Sequence, residues 1–316
     1  MSDNTNVGAG KYAYLLLDAA FKVVICTPQN EQLVIEILEL LIPGKKIASI
    51  TFVNKEHHGL VVSEKNVNFD LLCKDGQTGE EFLVEVQNRE QKSFRDRMLV
   101  YSTYPIREQM ELRVQQIRDG HVKDPMDYSL RPVYVVSMVN FCLEHKSEAA
   151  VEHGYISRYE LRNGHNGELM TPSLNFVFLE LDRLKLGPSE SDKCASLLER
   201  FVFSLKYMHT MTAKPAEFED DLLNRLFQAT ELASMTVTTR QNYDKVMWTE
   251  IDQIATMNFA TEKAMKEGFA KGEAKGEVKG KTETIMSFIK AGATDEMVAK
   301  ATGLSAGEIA AMRKES

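Results

Sequence analysis

Between Asn30 and Pro43 the apolar residues Leu33, Ile37, Leu40 and Leu41 recur at helical spacing. Asn30 is placed to cap that segment and Pro43-Gly44 to end it. The longer stretch Tyr12–Ile42 also reads as helical. From Ile47 to Lys55 the period changes to two, with Ile47, Ser49, Thr51 and Val53 opposite Ala48, Ile50 and Phe52, which predicts a strand. Two more strands are predicted over Val67–Lys74 and Glu81–Asn88, joined by the turn-rich segment Asp75–Glu80. A charged amphipathic stretch runs from Gln91 to about Ile117, with Phe94, Met98 and Tyr101 on one face. Pro105 is expected to kink or divide it. Arg131–Cys142 is an apolar run of the kind that forms a strand covered on both faces. Tyr155–Leu161 and Asn175–Leu181 predict a further strand pair around a glycine-rich loop.

The pattern changes after Leu186. Gly187-Pro188-Ser189 reads as a connector, and Ser191 to about Phe259 carries helical periodicity, as in Leu197, Phe201 and Leu205. Gly268, Gly272, Gly276 and Gly280 then stand four apart among lysines and glutamates. Each glycine costs a helix about 1 kcal/mol relative to alanine, so this segment is expected to be a polar linker, flexible or partly helical. Thr284–Lys314 predicts short helices broken at Ala291-Gly292-Ala293 and Thr302-Gly303-Leu304-Ser305. The chain is therefore divided at residues 11–186, 187–262, 263–283 and 284–316.

Composition narrows the classes. Of 316 residues 43% are hydrophobic, enough for a sizeable core. No run of 18 apolar residues is present, so no membrane span is expected, and the polar start of the chain does not resemble a signal peptide. Cys26, Cys73, Cys142 and Cys194 are scattered without a CxxC pair, which argues against structural zinc or a disulfide framework and for a reducing cytoplasm. The net charge of −8 counts mildly against a broad nucleic-acid surface. Between Arg89 and Lys123, however, basic residues slightly outnumber acidic ones. His57-His58 is a poor metal pair, because adjacent side chains on a strand point to opposite faces.

Candidate chemistry centres on the predicted hairpin. If Asp70 pairs with Glu85, Leu71 meets Val84, Cys73 meets Phe82 and Phe69 meets Val86, making one face apolar. The other face then carries Asn68, Asp70, Glu85 and Gln87. Opposed β-carbons lie roughly 4.5–5.5 Å apart, so the two carboxylates could share a divalent cation such as Mg²⁺. Such a cation polarises a phosphoryl oxygen and lowers the pKa of bound water. Taken alone, the pattern fits the solvated side of a sheet better than a metal site.

These residues, in this order, resemble the Rpn-type PD-(D/E)XK nuclease family (recombination-promoting nuclease, transposase). The likeness begins at Asp18-Ala19-Ala20-Phe21-Lys22 and has its centre in Phe69-Asp70-Leu71-Leu72-Cys73 and Phe82-Leu83-Val84-Glu85-Val86-Gln87. It continues through Gln91, Phe94-Arg95-Asp96-Arg97, Tyr101-Ser102 and Gln109, then Val133–Val136 to Asn140-Phe141 and Phe178–Leu181. It implies an α/β, restriction-endonuclease-like αβββαβ core with a mixed central sheet over 11–186, followed by a helical C-terminal region. It implies Asp70 and Glu85 as metal ligands, with the Val86 carbonyl as a third and Asp18 as an extra acid, although Asp18 could equally be a helix N-cap. Mg²⁺ or Mn²⁺ is the implied cofactor and DNA the partner. Arg97, Tyr101, Arg95, Gln109 and Lys22 are the implied nucleic-acid contacts, although Arg97 and Tyr101 could equally brace the site. Gln87 stands where many relatives carry lysine; a neutral amide can only hydrogen-bond, which bears on turnover. Asp182-Arg183-Leu184 stands where relatives often carry a Pro-Lys-Phe-like run.

The leading expectation is thus a metal-dependent DNA endonuclease, linked to recombination or mobile elements. The alternative is a weak or inactive nuclease-fold module that binds nucleic acid or regulates. The segment Asp295–Met312 resembles a small helix-turn-helix, with a helical pair for homo-oligomerisation as the competing reading.

Overall fold

The computed structural model describes residues 10–17, 20–53, 69–121 and 128–314. Six strands form one mixed sheet: β1 (Ile50–Phe52), β2 (Leu71–Asp75), β3 (Glu81–Gln87), β4 (Val133–Val139), β5 (Ile156–Glu160) and β6 (Leu174–Glu180). Their order is β1-β2-β3-β4-β6-β5. β1, β2 and β3 form an antiparallel meander, β3, β4 and β6 run parallel, and β5 returns antiparallel to β6. Parallel neighbours need a crossover. Between β3 and β4 it is helix α3 (Phe94–Arg118). With α1 (Ala20–Val24) and α2 (Glu31–Leu41) ahead of the sheet, the order is that of an αβββαβ core.

Strand alternation sorts the core into two layers. Leu71, Cys73, Phe82, Val84, Val86, Val136, Met138, Val177 and Leu179 pack beneath α1, α2, α4 (Leu197–Tyr207), α5 (Asp221–Thr230) and the start of α6 (Val237–Lys290). Leu72, Leu83, Val133, Val135, Val139, Leu174 and Phe178 form the second layer, closed by Phe94 and Met98 of α3. Both faces of the sheet are therefore covered, which explains the unbroken apolar run of β4.

The β2–β3 turn is set by Asp75. Its Oδ1 accepts the N–H groups of Gln77 and Thr78, each at 2.7 Å. Burial opposes ionisation of that carboxyl, but these backbone donors outweigh it and leave Asp75 below the ordinary carboxylate range. The turn fixes the ladder Leu71↔Val84, Leu72↔Leu83, Cys73↔Phe82, the register that the apolar pattern requires.

Four expectations are corrected. Tyr12–Leu17 is not helical: Tyr12 bridges Glu231, Ala13 N–H donates to the Thr230 carbonyl, and all six residues are buried. An apolar run with no polar side has no solvent face to offer a surface helix. Asn30 precedes α2 but does not cap it, its amide donating instead to the Val24 carbonyl at 3.0 Å. Pro105 does not divide α3, which continues to Arg118. Phe69 does not share the face of Leu71. It precedes β2 across a bend at Asp70 and packs its ring on Tyr101 and Tyr104 of α3.

The chain separates into two compact units, Met1–Glu250 and Ile251–Ser316. The second holds the remainder of α6 with α7 (Asp295–Thr302) and α8 (Ala306–Lys314), around a small core of Ile285, Ile289, Val298 and Ile309. The glycine-spaced segment 263–283 lies wholly within α6. Among the described residues no helix is long and apolar enough to cross a membrane.

Candidate active site

The α3-facing side of β3 brings together Glu85, Gln87 and Arg97. Asp70 lies at the bend just before β2, one residue beyond the last ladder pair Leu71↔Val84. Asp70 Oδ2 accepts the Val86 N–H at 2.7 Å, which holds that carboxylate against the backbone next to Glu85. The Val86 side chain points the other way, into the opposite core layer.

Glu85 lies on β3 and is only 7% exposed, so its face is not the solvated side of a sheet. Burying a carboxylate is costly unless charge and hydrogen bonds compensate it. Arg97, in the first turns of α3, supplies both: Nη2 is 3.2 Å from Glu85 Oε1 and 2.7 Å from Gln87 Oε1. Nη1 donates to the Gln91 side chain, and the guanidinium sits 5.1 and 5.5 Å from the ring centres of Phe94 and Tyr101. Tyr101 is thereby held between Phe69 and Arg97.

The other residues named from the sequence lie apart from this cluster. Arg95 is exposed, donates to the Glu144 carbonyl at 2.6 Å and stacks over Tyr159. Gln109 makes a reciprocal pair with the backbone of Arg131, at 2.8 and 3.2 Å, and so ties α3 to the approach of β4. Its twelve-residue separation from Arg97 is roughly 18 Å of helix. Lys22 is exposed on α1. Arg89 pairs with the buried Glu250. Asp182 pairs with Lys206 at 2.8 Å. Asp18, Asn68, His57 and His58 lie outside the described residues.

Ser137 does not stand out from the sequence as a site residue. It pairs with Glu85 in the parallel β3–β4 ladder and therefore shares its face. It is fully buried, and its Oγ has no hydrogen-bond partner among the described residues. A buried hydroxyl without a partner needs an explanation. The one signal for it is a single polar residue in the middle of Val133–Val139.

Whether these groups fit a divalent cation depends on donor chemistry. Among the described residues no cluster of three or more His, Cys, Asp or Glu side chains could hold a metal. Two carboxylates are instead the ligand set of a hard cation that keeps most of its own water, as Mg²⁺ does. The orphaned Ser137 hydroxyl beside Glu85 matches a hydrated group on that face. Thiolate ligation does not fit. Burial, then the nearby Asp70 charge, pushes the Cys26 thiol well up, and burial raises Cys73 to about 12.

A mixed sheet with an αβββαβ core and two acids on its central hairpin defines the PD-(D/E)XK class of nuclease-type domains. The chain belongs to the PD-(D/E)XK nuclease family transposases, whose family model matches residues 15–260. That span includes the whole sheet, the cluster around Glu85 and α3 to α5. PD-(D/E)XK nucleases as a class use divalent metal ions. No curated protein and no solved structure matches the chain.

Proposed function

We propose that the protein is a divalent-cation-dependent DNA endonuclease that hydrolyses phosphodiester bonds, with Mg²⁺ or Mn²⁺ as its cation and a role in recombination or mobile-element chemistry. The observation that carries this reading is the hydrogen bond that holds Asp70 to the backbone of Val86, next to the buried Glu85 that Arg97 pairs with. Asp70 and Glu85 would hold the cation, with the Val86 carbonyl as a third oxygen. Bound there, a divalent cation would polarise the phosphodiester and lower the pKa of the attacking water. The chain's own groups do the rest. Asp70 is oriented by the Val86 N–H, Glu85 is held by Arg97, and Gln87 at the end of β3 reaches the reacting phosphate by hydrogen bonding. Phe69, Tyr101 and Phe94 wall one side of the cluster and limit water around Arg97 and Glu85, which strengthens the electrostatics there.

The test is plasmid nicking by the full chain in Mg²⁺, Mn²⁺, Ca²⁺ or chelator. Wild-type protein is expected to nick in Mg²⁺ or Mn²⁺ and not in chelator. Asp70→Ala and Glu85→Ala should each lose at least about a hundredfold in rate, the scale for removing a group that stabilises transition-state charge. Undiminished cleavage by both variants would overturn the assignment. DNA binding that is indifferent to Mg²⁺, with no turnover, would favour a binding module on a nuclease fold.

A further inference from the structure

Gln87 ends β3 at the place where a lysine would deliver positive charge. A free glutamine is ambivalent, since its amide can present either a carbonyl oxygen or an NH₂ group to a ligand. Here the ambivalence is removed. Arginine carries donors only, so the Gln87 atom 2.7 Å from Arg97 Nη2 has to be the carbonyl oxygen. The NH₂ group is then the end left to donate. Arg97 is itself fixed by Gln91, Glu85 and the rings of Phe94 and Tyr101, so the direction of the Gln87 amide follows from the packing of α3 on the sheet.

We propose that Arg97 is a positioning residue of this site: it fixes Gln87 as a hydrogen-bond donor toward the phosphodiester and supplies, from α3, the positive charge that position 87 lacks. This rests on the hydrolytic reading above. The geometry has a second consequence. A guanidinium 3.2 Å from Glu85 Oε1 competes with any cation that Glu85 binds. Removing Arg97 should therefore tighten divalent-cation binding while slowing turnover, two effects of opposite sign. A residue that only braced the fold would weaken both together.

The test uses the full chain and four changes: Arg97→Gln, Gln87→Glu, Gln87→Lys and the double change Arg97→Gln/Gln87→Lys. Nicking is measured in Mn²⁺, and Ca²⁺ binding without DNA by calorimetry. Arg97→Gln is expected to slow nicking at least about tenfold and to bind Ca²⁺ several-fold more tightly. Gln87→Glu keeps the shape and the contact with Arg97 but has no donor, so it should slow nicking comparably and guards against misfolding of the Arg97 variant. Gln87→Lys alone sets an ammonium against the guanidinium and should also be slow. The double variant, with the charge moved onto β3, should regain most of the lost rate. Wild-type rates in Arg97→Gln or Gln87→Glu, weaker Ca²⁺ binding in Arg97→Gln, or a double variant no faster than Arg97→Gln would each overturn the proposal. Failure of the hydrolytic reading looks different: wild-type protein that neither nicks DNA nor binds a divalent ion.

Discussion

Glu180 is a buried acid with four partners, and its removal gives a measurable prediction. It is the last residue of β6 and fully buried. Oε2 accepts the Leu143 N–H and Arg183 Nε–H, each at 2.9 Å, while Oε1 lies 2.6 Å from His145 Nε2 and 3.5 Å from Ser157 Oγ. It stands level with Val139, which stands level with Gln87, so it anchors the chain that leaves β4 beside the candidate site. The neighbouring Glu144 carbonyl receives Arg95 from α3. Glu180→Ala would leave a largely buried guanidinium, an imidazole and a backbone N–H without their acceptor. Breaking a buried ion pair costs about 3–5 kcal/mol, and hydrogen bonds to charged groups about 1.5–3 kcal/mol each. Because these terms overlap, we expect a loss of about 4 kcal/mol, or a Tm lower by roughly 10 °C for a unit of this size. Glu180→Gln keeps the shape and one acceptor and should lose about half as much. Urea denaturation of the three proteins at pH 7, with calorimetric Tm values, measures both. If Glu180→Ala stays within about 1 kcal/mol of wild type, the buried carboxylate does not organise this corner and the reasoning fails.

Two other predictions concern residues that take no part in the candidate chemistry. His209 stacks on Tyr14 with ring centres 3.9 Å apart, its Nδ1 is buried without a partner, and burial lowers its pKa to about 4. The fold therefore favours the neutral ring; its contribution is complete above the unfolded pKa near 6.5 and is lost as pH falls toward 4. That loss is at most about 3 kcal/mol, and His209→Phe should flatten the stability–pH curve over that window; parallel curves for the two proteins would contradict the assignment. In α6 a β-carbon at Gly268, Gly272, Gly276 or Gly280 would meet nothing within 4 Å. Replacing all four with alanine should stabilise the helix by about 0.5–1 kcal/mol per site, seen as helical circular dichroism that survives to higher temperature; a loss of helicity would show that these positions need glycine.

The hairpin is legible in the sequence because strand alternation is a local rule. Pairing Leu71 with Val84 and Cys73 with Phe82 is the arrangement that makes one face apolar, and the ladder has that register. The turn at Asp75 and the order of helix and strands up to β4 follow from equally local signals. Alternation says which residues share a face, but not what covers it. By pattern, the face of Glu85 and Gln87 fits a solvated surface. In the fold α3 lies across it, buries Glu85 and places Arg97 against both side chains. That contact joins residues on separate elements, and helical periodicity alone leaves Arg97 open to either binding or bracing. Phe69 escapes the parity rule because the chain bends at Asp70. Tyr12–Leu17 is not helical: Tyr12 and Ala13 pair with Glu231 and Thr230, more than two hundred residues away in the sequence, and a turn at Leu15-Leu16 follows.

Local sequence therefore determined the β2–β3 register and the shared face of Glu85 and Gln87. Only the tertiary structure decided that this face is covered and that the carbonyl oxygen of Gln87 is taken by Arg97. The physical reason is that periodicity records how side chains alternate along one element. The charge environment of a site depends on which element packs over it, and that is fixed by the apolar contacts of Phe94 and Met98 with the strands.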